Sequence, residues 1–238
     1  LKLNDGALKL TNAANDYTGT TQIDSGSVII TDQGALGTDM SAVVVTGNVT
    51  RSVGGGSLVI GSANNNLDGM TFTRDLALTG GGASGDGAAF NSVGNNIFTG
   101  NIVTGGNAAG LNPIGGTAIT VSATRLASTF GTATLNGSLT VEPSGQSTEF
   151  TGNGNWIVNS NIDGAGNVTK SGNGLLILNG NNNYGGVLSV NGGFVRVSDP
   201  SNLGTSTATN AVDMTAGTLE IRSDTFTTAT KVRLNSNS

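Results

Sequence analysis

The stretch SGSVIITDQGALGT, residues 25–38, is repeated in altered form as GGFVRVSDPSNLGT, residues 192–205. Six of the fourteen positions coincide at constant spacing. Chance does not readily give this agreement, so the sequence predicts a fold built from internal repeats. The six pairs are Gly26/Gly193, Val28/Val195, Asp32/Asp199, Leu36/Leu203, Gly37/Gly204 and Thr38/Thr205.

A shorter unit, in which two aliphatic residues flank one variable residue, recurs along the whole chain. Because side chains alternate along a strand, each unit predicts a short strand with one buried face. The variable residue is charged at Lys9, Arg196 and Glu220, so we expect this position to face solvent. The units are Leu8-Lys9-Leu10, Val28-Ile29-Ile30, Val43-Val44-Val45, Leu58-Val59-Ile60, Leu76-Ala77-Leu78, Ile119-Thr120-Val121, Leu139-Thr140-Val141, Leu176-Ile177-Leu178, Val195-Arg196-Val197, Leu219-Glu220-Ile221 and Val232-Arg233-Leu234, with looser copies around Ile102 and Ile157.

The units follow one another at intervals of about 19 residues, close to the period of solenoid repeats. Gly, Asn and Asp separate them, and these residues tolerate the positive φ of a sharp corner. The sequence therefore predicts an all-β fold, one parallel β-helix of about 11–12 coils spanning residues 1–238. A β-sandwich or a propeller fits the spacing less well. Residues 79–112 carry little strand pattern, so we expect a loop or an irregular corner there.

The composition narrows the possible chemistry. The 238 residues include no Cys and no His, and the net charge is −5. The lack of Cys excludes disulfides, thiolate metal sites and cysteine nucleophiles, and the lack of His removes the commonest general base. The acidic balance argues against a nucleic-acid partner. The chain opens and stops within the repeat pattern, so we expect it to be part of a longer protein.

Extending the two long copies upstream lengthens the match to residues 6–38 and 170–205. Both copies strongly resemble the passenger-associated transport repeat of bacterial autotransporters, the type V secretion proteins. The residues that carry the resemblance in the first copy are Gly6, Leu8, Leu10, Tyr17, Gly19, Ile23, Gly26, Val28, Leu36 and Gly37. In the second copy they are Lys170, Gly172, Gly174, Leu176, Leu178, Gly180, Asn182, Tyr184, Gly186, Val190, Gly193, Val195, Leu203 and Gly204.

The resemblance implies a right-handed β-helical passenger, displayed on the outer-membrane surface or released outside the cell. It also implies a C-terminal translocator barrel in the full-length protein as the partner that carries the passenger across the outer membrane. In that family the repeat is tied to efficient secretion and folding of the passenger.

An enzyme site would need clustered carboxylates, as in other β-helical enzymes. The fifteen Asp and Glu residues are instead dispersed, and most of the Asp residues stand in turn contexts where they bond their own backbone. The stretch GGGASGDG, residues 80–87, resembles a calcium-binding nonapeptide, but one copy is not an array. We therefore predict no catalytic, cofactor-binding or metal-binding residues.

Asparagine runs and single aromatic residues leave alternatives open. Asn64–Asn66, Asn95–Asn96 and Asn181–Asn183 predict either stacked amide ladders or solvated turns. The residues Trp156, Phe98, Phe194 and Phe226 are either core side chains or external platforms for sugars, and the alternation points Phe194 outward. Tyr17 and Tyr184 recur at one place in the repeat, which favours a packing role.

The sequence thus favours a non-catalytic extracellular scaffold that displays or extends adhesive or aggregative regions, for example in biofilm formation. Its candidate partners are a second copy of itself or a host or carbohydrate surface. Two other functions stay open, a carbohydrate-active β-helix enzyme and a self-associating adhesin module. A carboxylate cluster in a groove would favour the enzyme.

Overall fold

The computed structural model describes residues 2–46, 55–61, 69–83, 89–105, 123–142, 145–206, 211–228 and 232–234. Within these ranges the chain forms strands, two 3₁₀ turns at Gln33–Leu36 and Pro200–Leu203, and no α-helix. Every strand pairing in the same ranges is parallel. The predicted all-β fold class is confirmed.

The strands form three sheets, which we call A, B and C. Sheet A contains β1 (Lys2–Leu10), β3 (Ser25–Ile30), β5 (Gly56–Gly61), β8 (Phe90–Val93), β11 (Ala123–Phe130), β14 (Ser147–Thr151), β17 (Asn167–Lys170), β20 (Leu188–Val190), β22 (Val212–Met214) and β24 (Val232–Leu234). Sheet B contains β2 (Gln22–Ile23), β4 (Val43–Val45), β7 (Leu76–Leu78), β10 (Ile102–Thr104), β13 (Leu139–Val141), β16 (Ile162–Gly164) and β19 (Asn183–Tyr184). Sheet C contains β6 (Thr71–Phe72), β9 (Asn96–Phe98), β12 (Thr132–Leu135), β15 (Asn155–Val158), β18 (Leu175–Leu178), β21 (Phe194–Val197) and β23 (Thr218–Ile221).

From β5 to β20 the chain visits the sheets in the order A, C, B and then returns to A one strand further along. This path is that of a parallel β-helix, in which each turn of the chain is one coil. Equivalent residues of adjacent coils stand 20 positions apart in the most regular part, as Asn159 and Asn179 do. The aliphatic units of the sequence occupy all three sheets, because one coil holds up to three strands.

The core is a set of inward-facing columns that run along the helix axis. In sheet A, residues of successive strands stand in register and are buried. Burial of aliphatic and aromatic side chains over so many coils supplies the main stabilisation of the fold. This column consists of Val28, Leu58, Phe90, Leu126, Phe150, Lys170 and Val190.

Five aromatic side chains fill the middle of the helix. Trp156 is 1% exposed and packs edge-on against Phe150, with ring centroids 5.4 Å apart. Phe90 and Phe98 stack in the same edge-to-face manner at 5.0 Å. The structure therefore assigns Trp156 and Phe98 to the core, and neither is an external platform for sugars.

The charged variable residues face outward, as the alternation predicts. Lys9 is exposed, and Arg196 and Glu220 are half-buried. Arg196 Nε lies 2.7 Å from Glu220 Oε2, and these two residues are register partners of adjacent coils. Arg125 pairs in the same way with Glu149, also at 2.7 Å. Opposite charges facing each other across strands stabilise the pairing modestly.

The segment 79–112, where we expected a loop or an irregular corner, contains the strands β8, β9 and β10. Their inner positions include polar residues, which weaken the aliphatic pattern. Asn96 is buried and donates from Nδ2 to Ser92 Oγ at 3.0 Å, so the two polar groups satisfy each other. Residues 84–88 and 106–112 of this segment, Asn64–Asn66 and the unit Ile119-Thr120-Val121 lie outside the described residues.

We predict that Trp156→Ala lowers the free energy of unfolding by about 3–5 kcal/mol, because it leaves a cavity among packed aromatic rings. The neighbouring Ile157→Ala is the matched control, since Ile157 faces outward and is only half-buried. Urea unfolding followed by far-UV circular dichroism measures both, as the chain has a single Trp and loses that fluorescence signal in the variant. Equal losses for the two variants would contradict the inward assignment of Trp156.

Candidate functional site

The second repeat copy forms a corner in which a buried tyrosine packs directly on a glycine. The Tyr184 hydroxyl donates to the Leu203 carbonyl oxygen at 2.9 Å. Gly204 has φ +82°, and a Cβ added there would lie 2.7 Å from Tyr184 Cζ. Both the backbone conformation and the ring contact therefore require glycine at this position. Burial raises the pKa of the Tyr184 hydroxyl, which stays protonated as a donor.

The first copy repeats this corner in a more open form. Gly37 has φ +76°, and an added Cβ would lie 2.9 Å from Tyr17 Cγ. The Thr38 amide donates to the Tyr17 carbonyl oxygen at 3.0 Å, as the Thr205 amide does to Tyr184 at 3.3 Å. Residue Tyr17 is 39% exposed, whereas Tyr184 is buried. The two corners share their geometry but differ in burial.

Each corner begins with an aspartate that caps a 3₁₀ turn. Asp32 accepts from the Gly34 amide at 2.7 Å, and Asp199 accepts from the Ser201 amide at 2.9 Å. Hydrogen bonds from the Ser201 side chain and backbone lower the pKa of Asp199. The aspartates shared by the two copies are therefore turn caps, which is the role expected of Asp in such contexts.

A pair of buried asparagines fastens the second corner to the coil before it. Asn182 Nδ2 donates to the Asn202 carbonyl oxygen at 2.6 Å, and Asn202 Nδ2 donates to the Gly180 carbonyl oxygen at 2.9 Å. Asn182 Oδ1 accepts from the Ile162 amide at 2.9 Å. The sequence pattern includes Asn182 but does not predict these hydrogen bonds, because the partners lie in neighbouring coils that are distant in sequence.

The two copies do not occupy the same face of the helix. Val28 lies in sheet A and Val195 in sheet C, although they are equivalent in the repeat. The first strand of each copy shows the same shift by one face, and the remaining repeat residues hold matching positions in turns and connections. Leu8 and Leu10 lie in sheet A, Leu176 and Leu178 in sheet C, Leu36 and Leu203 in the 3₁₀ turns, Gly26 and Gly193 at positive φ, and Gly19 and Gly186 in connections between strands.

Lys170 occupies a position in the inner column that aliphatic and aromatic side chains fill in the neighbouring coils. Its amine donates to the carbonyl oxygens of Ser171 and Gly172, the latter at 3.0 Å. An added Cβ at Gly193 would lie 2.8 Å from Lys170 Nζ, so glycine leaves room for the amine. Burial lowers the pKa of Lys170 to about 8, while the nearby Glu149 carboxylate acts in the opposite direction.

Among the described residues, Glu149 and Asp39 illustrate how the carboxylates are used. In the described ranges, no group of three or more Asp and Glu residues is placed to hold a metal ion. Glu149 accepts from Arg125 and from the Ser171 hydroxyl. Asp39 bonds the amide and hydroxyl of Ser41, two residues further along the chain. No helix in the described part of the chain has the length and apolar character needed to span a membrane.

The outer face of sheet C carries aliphatic residues at several outward positions. One outward column contains Ile97, Thr134, Ile157 and Ile177, which are register partners in successive strands. A second column contains Leu175 and its partner Phe194, whose ring is 50% exposed, as its outward orientation predicts. We call this surface the sheet C strip.

Rows of exposed asparagine run along both edges of the sheet C strip. On one edge, Asn179 Nδ2 donates to Asn159 Oδ1 at 2.8 Å, and Asn159 Nδ2 donates to Asn136 Oδ1 at 2.9 Å. On the other edge, Asn173 Nδ2 donates to Asn153 Oδ1 at 3.1 Å. Amide ladders therefore do form, at corners that the sequence did not single out.

Gly204→Ala should lower the free energy of unfolding by about 1–3 kcal/mol, because it forces a side chain into positive φ and against the Tyr184 ring. Gly185→Ala is the matched control, since its added Cβ would meet no atom nearer than 4.0 Å. Thermal unfolding of the purified chain measures both variants. A Gly204→Ala chain as stable as Gly185→Ala would show that the corner does not need glycine.

Lys170 should make the stability of the chain depend on pH in the alkaline range. The lowered pKa, about 8, means that the folded state holds this proton less tightly than the unfolded chain does. Stability should therefore rise with pH from about 8 towards the ordinary lysine pKa of about 10.4. Lys170→Met removes this contribution. As the pH rises over that interval, the free energy of unfolding of the wild type should therefore increase relative to that of the variant. Urea midpoints at matched pH values measure it, and parallel pH profiles would contradict it.

The family comparison matches the strands of both repeat copies, whereas the corners at Gly37 and Gly204 lie beyond the matched residues. The model of the passenger-associated-transport-repeat matches residues 1–30 and 168–197. No curated protein and no solved structure matches the chain. The two matched segments contain Leu8, Tyr17 and Val28 of the first copy, and Lys170, Tyr184 and Val195 of the second. Two segments of the chain therefore match the passenger-associated transport repeat, which is consistent with an autotransporter passenger.

Proposed function

We propose that this chain is a non-catalytic scaffold segment of an autotransporter-type surface protein, which helps the passenger fold during secretion and then displays adhesive regions outside the cell. The observation that carries the proposal is the continuous stacking of coils, in which each coil forms its hydrogen bonds on the coil before it. The repeat match supports the secretion context.

Stacking suits a chain that folds as it emerges from a membrane. A completed coil presents a row of unpaired backbone groups and an apolar column, and the next segment can add to both. Growth is then local and proceeds along the chain, as in other solenoids. Folding outside the cell would hold the emerged part there and favour further export through the translocator of the full-length protein.

The repeat corners fit this role because they lock a new coil onto the previous one. The Tyr184 hydroxyl reaches the Leu203 carbonyl one coil further, and Asn202 reaches back to Gly180. Each bond forms only when the next coil arrives in the correct register. The first copy supplies a similar contact between Tyr17 and Gly37 near the other end of the described chain.

A segment that displays other regions of a surface protein must be stiff. Ion pairs between adjacent coils on the outer faces contribute to this stiffness. Arg125–Glu149 and Arg196–Glu220 link adjacent coils on the outside of the helix. The inner column links the same coils from within. A rod tied on both sides resists bending and can hold other parts of a surface protein away from the membrane.

A non-catalytic role agrees with how the charged residues are used. The carboxylates described above neutralise arginines or cap turns, and these contacts leave them poorly suited to proton transfer. The matched repeat is a structural repeat of passenger domains.

Val195→Asp tests the proposed role in export. Val195 is fully buried, and an unpaired carboxylate there costs several kcal/mol, so the coil should add slowly. We expect slower appearance of the parent protein on the cell surface, at unchanged synthesis, measured by protease accessibility after a pulse of labelling. Val28→Asp should act in the same way.

Phe194→Asp is the matched control, because Phe194 is adjacent to Val195 but faces outward and is half exposed. It adds the same charge without placing it in the core, so surface appearance should match that of the wild type. Export of Val195→Asp at the wild-type rate would refute the proposal that coil stacking assists secretion.

A further inference from the structure

We propose that the sheet C strip binds a neutral polysaccharide chain lying along the helix axis. The strip comprises the outward residues of β9, β12, β15, β18 and β21. Its apolar floor consists of Ile97, Ile157, Ile177, Leu175 and Phe194. Within this floor Thr134 separates Ile97 from Ile157, and the most exposed members are Ile97 and Phe194 at its two ends.

The charge of the strip favours a neutral partner. The outward residues of β9, β12, β15 and β18 are uncharged, in contrast to the outer face of sheet A with its Arg125–Glu149 pair. At the β21 end, the Glu220 carboxylate pairs with both Arg196 and Arg222, so one positive charge remains there. Hydrogen bonds from Arg196 are the largest of the effects that lower the pKa of Glu220, which keeps that carboxylate charged and committed to the pair. An acidic glycan or a nucleic acid would find no basic row here.

The dimensions of the strip argue against a second copy of the chain. Five strands at about 4.8 Å spacing and about four residues of width give roughly 20 by 13 Å, or about 260 Å². A stable protein–protein interface buries about 800 Å² on each partner. The strip crosses five stacked strands in the direction of the helix axis, so a single extended polymer chain along that axis fits within its width.

The chemistry of the strip matches that of a sugar ring. A pyranose has apolar C–H faces and hydroxyl groups around its edge, so it needs an apolar floor and polar rims. The half-exposed Phe194 ring offers a rigid platform on the floor. A primary amide carries two N–H groups, and each ladder bond of Asn159, Asn179 and Asn173 uses one of them. The second N–H of each rung is available to a hydroxyl.

The ladders also fix where these donors stand. Asn159 is held both by Asn136 and by Asn179, so its amide loses little freedom when a ligand binds. The rungs repeat with the strand spacing of about 4.8 Å, so successive sugars of one chain can meet successive rungs. Such preorganised polar groups beside an apolar surface are characteristic of ligand sites.

The test is isothermal titration of the purified chain with three neutral probes, cellohexaose, laminarihexaose and chitohexaose, and with hexagalacturonate as the acidic comparison. We expect saturable binding of at least one neutral probe, in the millimolar range or tighter, and no binding of hexagalacturonate. Phe194→Ala should weaken the neutral binding by about tenfold or more, as loss of a stacking platform does.

Ile29→Ala is the matched control, since Ile29 occupies an outward position of sheet A and should leave the affinity unchanged. Both variants should keep the wild-type circular dichroism spectrum, because neither side chain belongs to the core. No saturable binding of any neutral probe, or binding that Phe194→Ala leaves intact, overturns the proposal. A concentration-dependent dimer that Phe194→Ala abolishes would assign the strip to a second copy and overturn it as well. These readouts do not depend on the rate of export.

Discussion

The close spacing of adjacent coils is the constraint on which the rest of this structure depends. Parallel strands stand about 4.8 Å apart, so each corner passes almost in contact with the corner before it. A Cβ added at Gly137 would lie 2.0 Å from the Gly100 carbonyl oxygen, and one at Gly180 would lie 2.1 Å from that of Ser160. Small residues at these corners are therefore a condition for stacking, and they explain much of the glycine content.

The same constraint explains how one sequence repeat can serve on two faces. The repeat specifies a strand, a tyrosine, a further strand and a Leu-Gly corner, all of which are satisfied by the adjacent coil. None of these features depends on which sheet the strand belongs to. Val28 can therefore lie in sheet A and Val195 in sheet C with the same local geometry. The repeat thus specifies only how one coil packs on the next. Folding that adds one coil at a time requires this property.

The strands and their orientation could be predicted from the sequence, because they follow from a local period of two. Arg196 outside and Val195 inside are examples. The polar residues of the interior could not be predicted in this way. Lys170 and Ser92 place polar groups at positions where the period of two predicts apolar ones, and they can be buried only because other groups form hydrogen bonds with them. Lys170 finds two backbone carbonyls, and Ser92 finds Asn96. The amide ladders could not be predicted either, because the hydrogen-bond partners of an asparagine such as Asn159 lie one coil away and not next to it in the sequence.

The lengths of the connections show why one face became a regular surface. Connections from sheet C to sheet B contain three or four residues throughout, for example 136–138 and 179–182. The stretches between a strand of sheet B and the following strand of sheet A vary in length from the single residue 24 to residues 105–122. Insertions in a solenoid are tolerated where they do not interrupt stacking, and they map to particular edges of the helix. Around β9, β12, β15 and β18 the connections at both edges of sheet C contain one to four residues, so these strands and their asparagine rows stay in register over successive coils. A surface that repeats in this way can bind a ligand that itself repeats, and irregular connections placed there would remove that match.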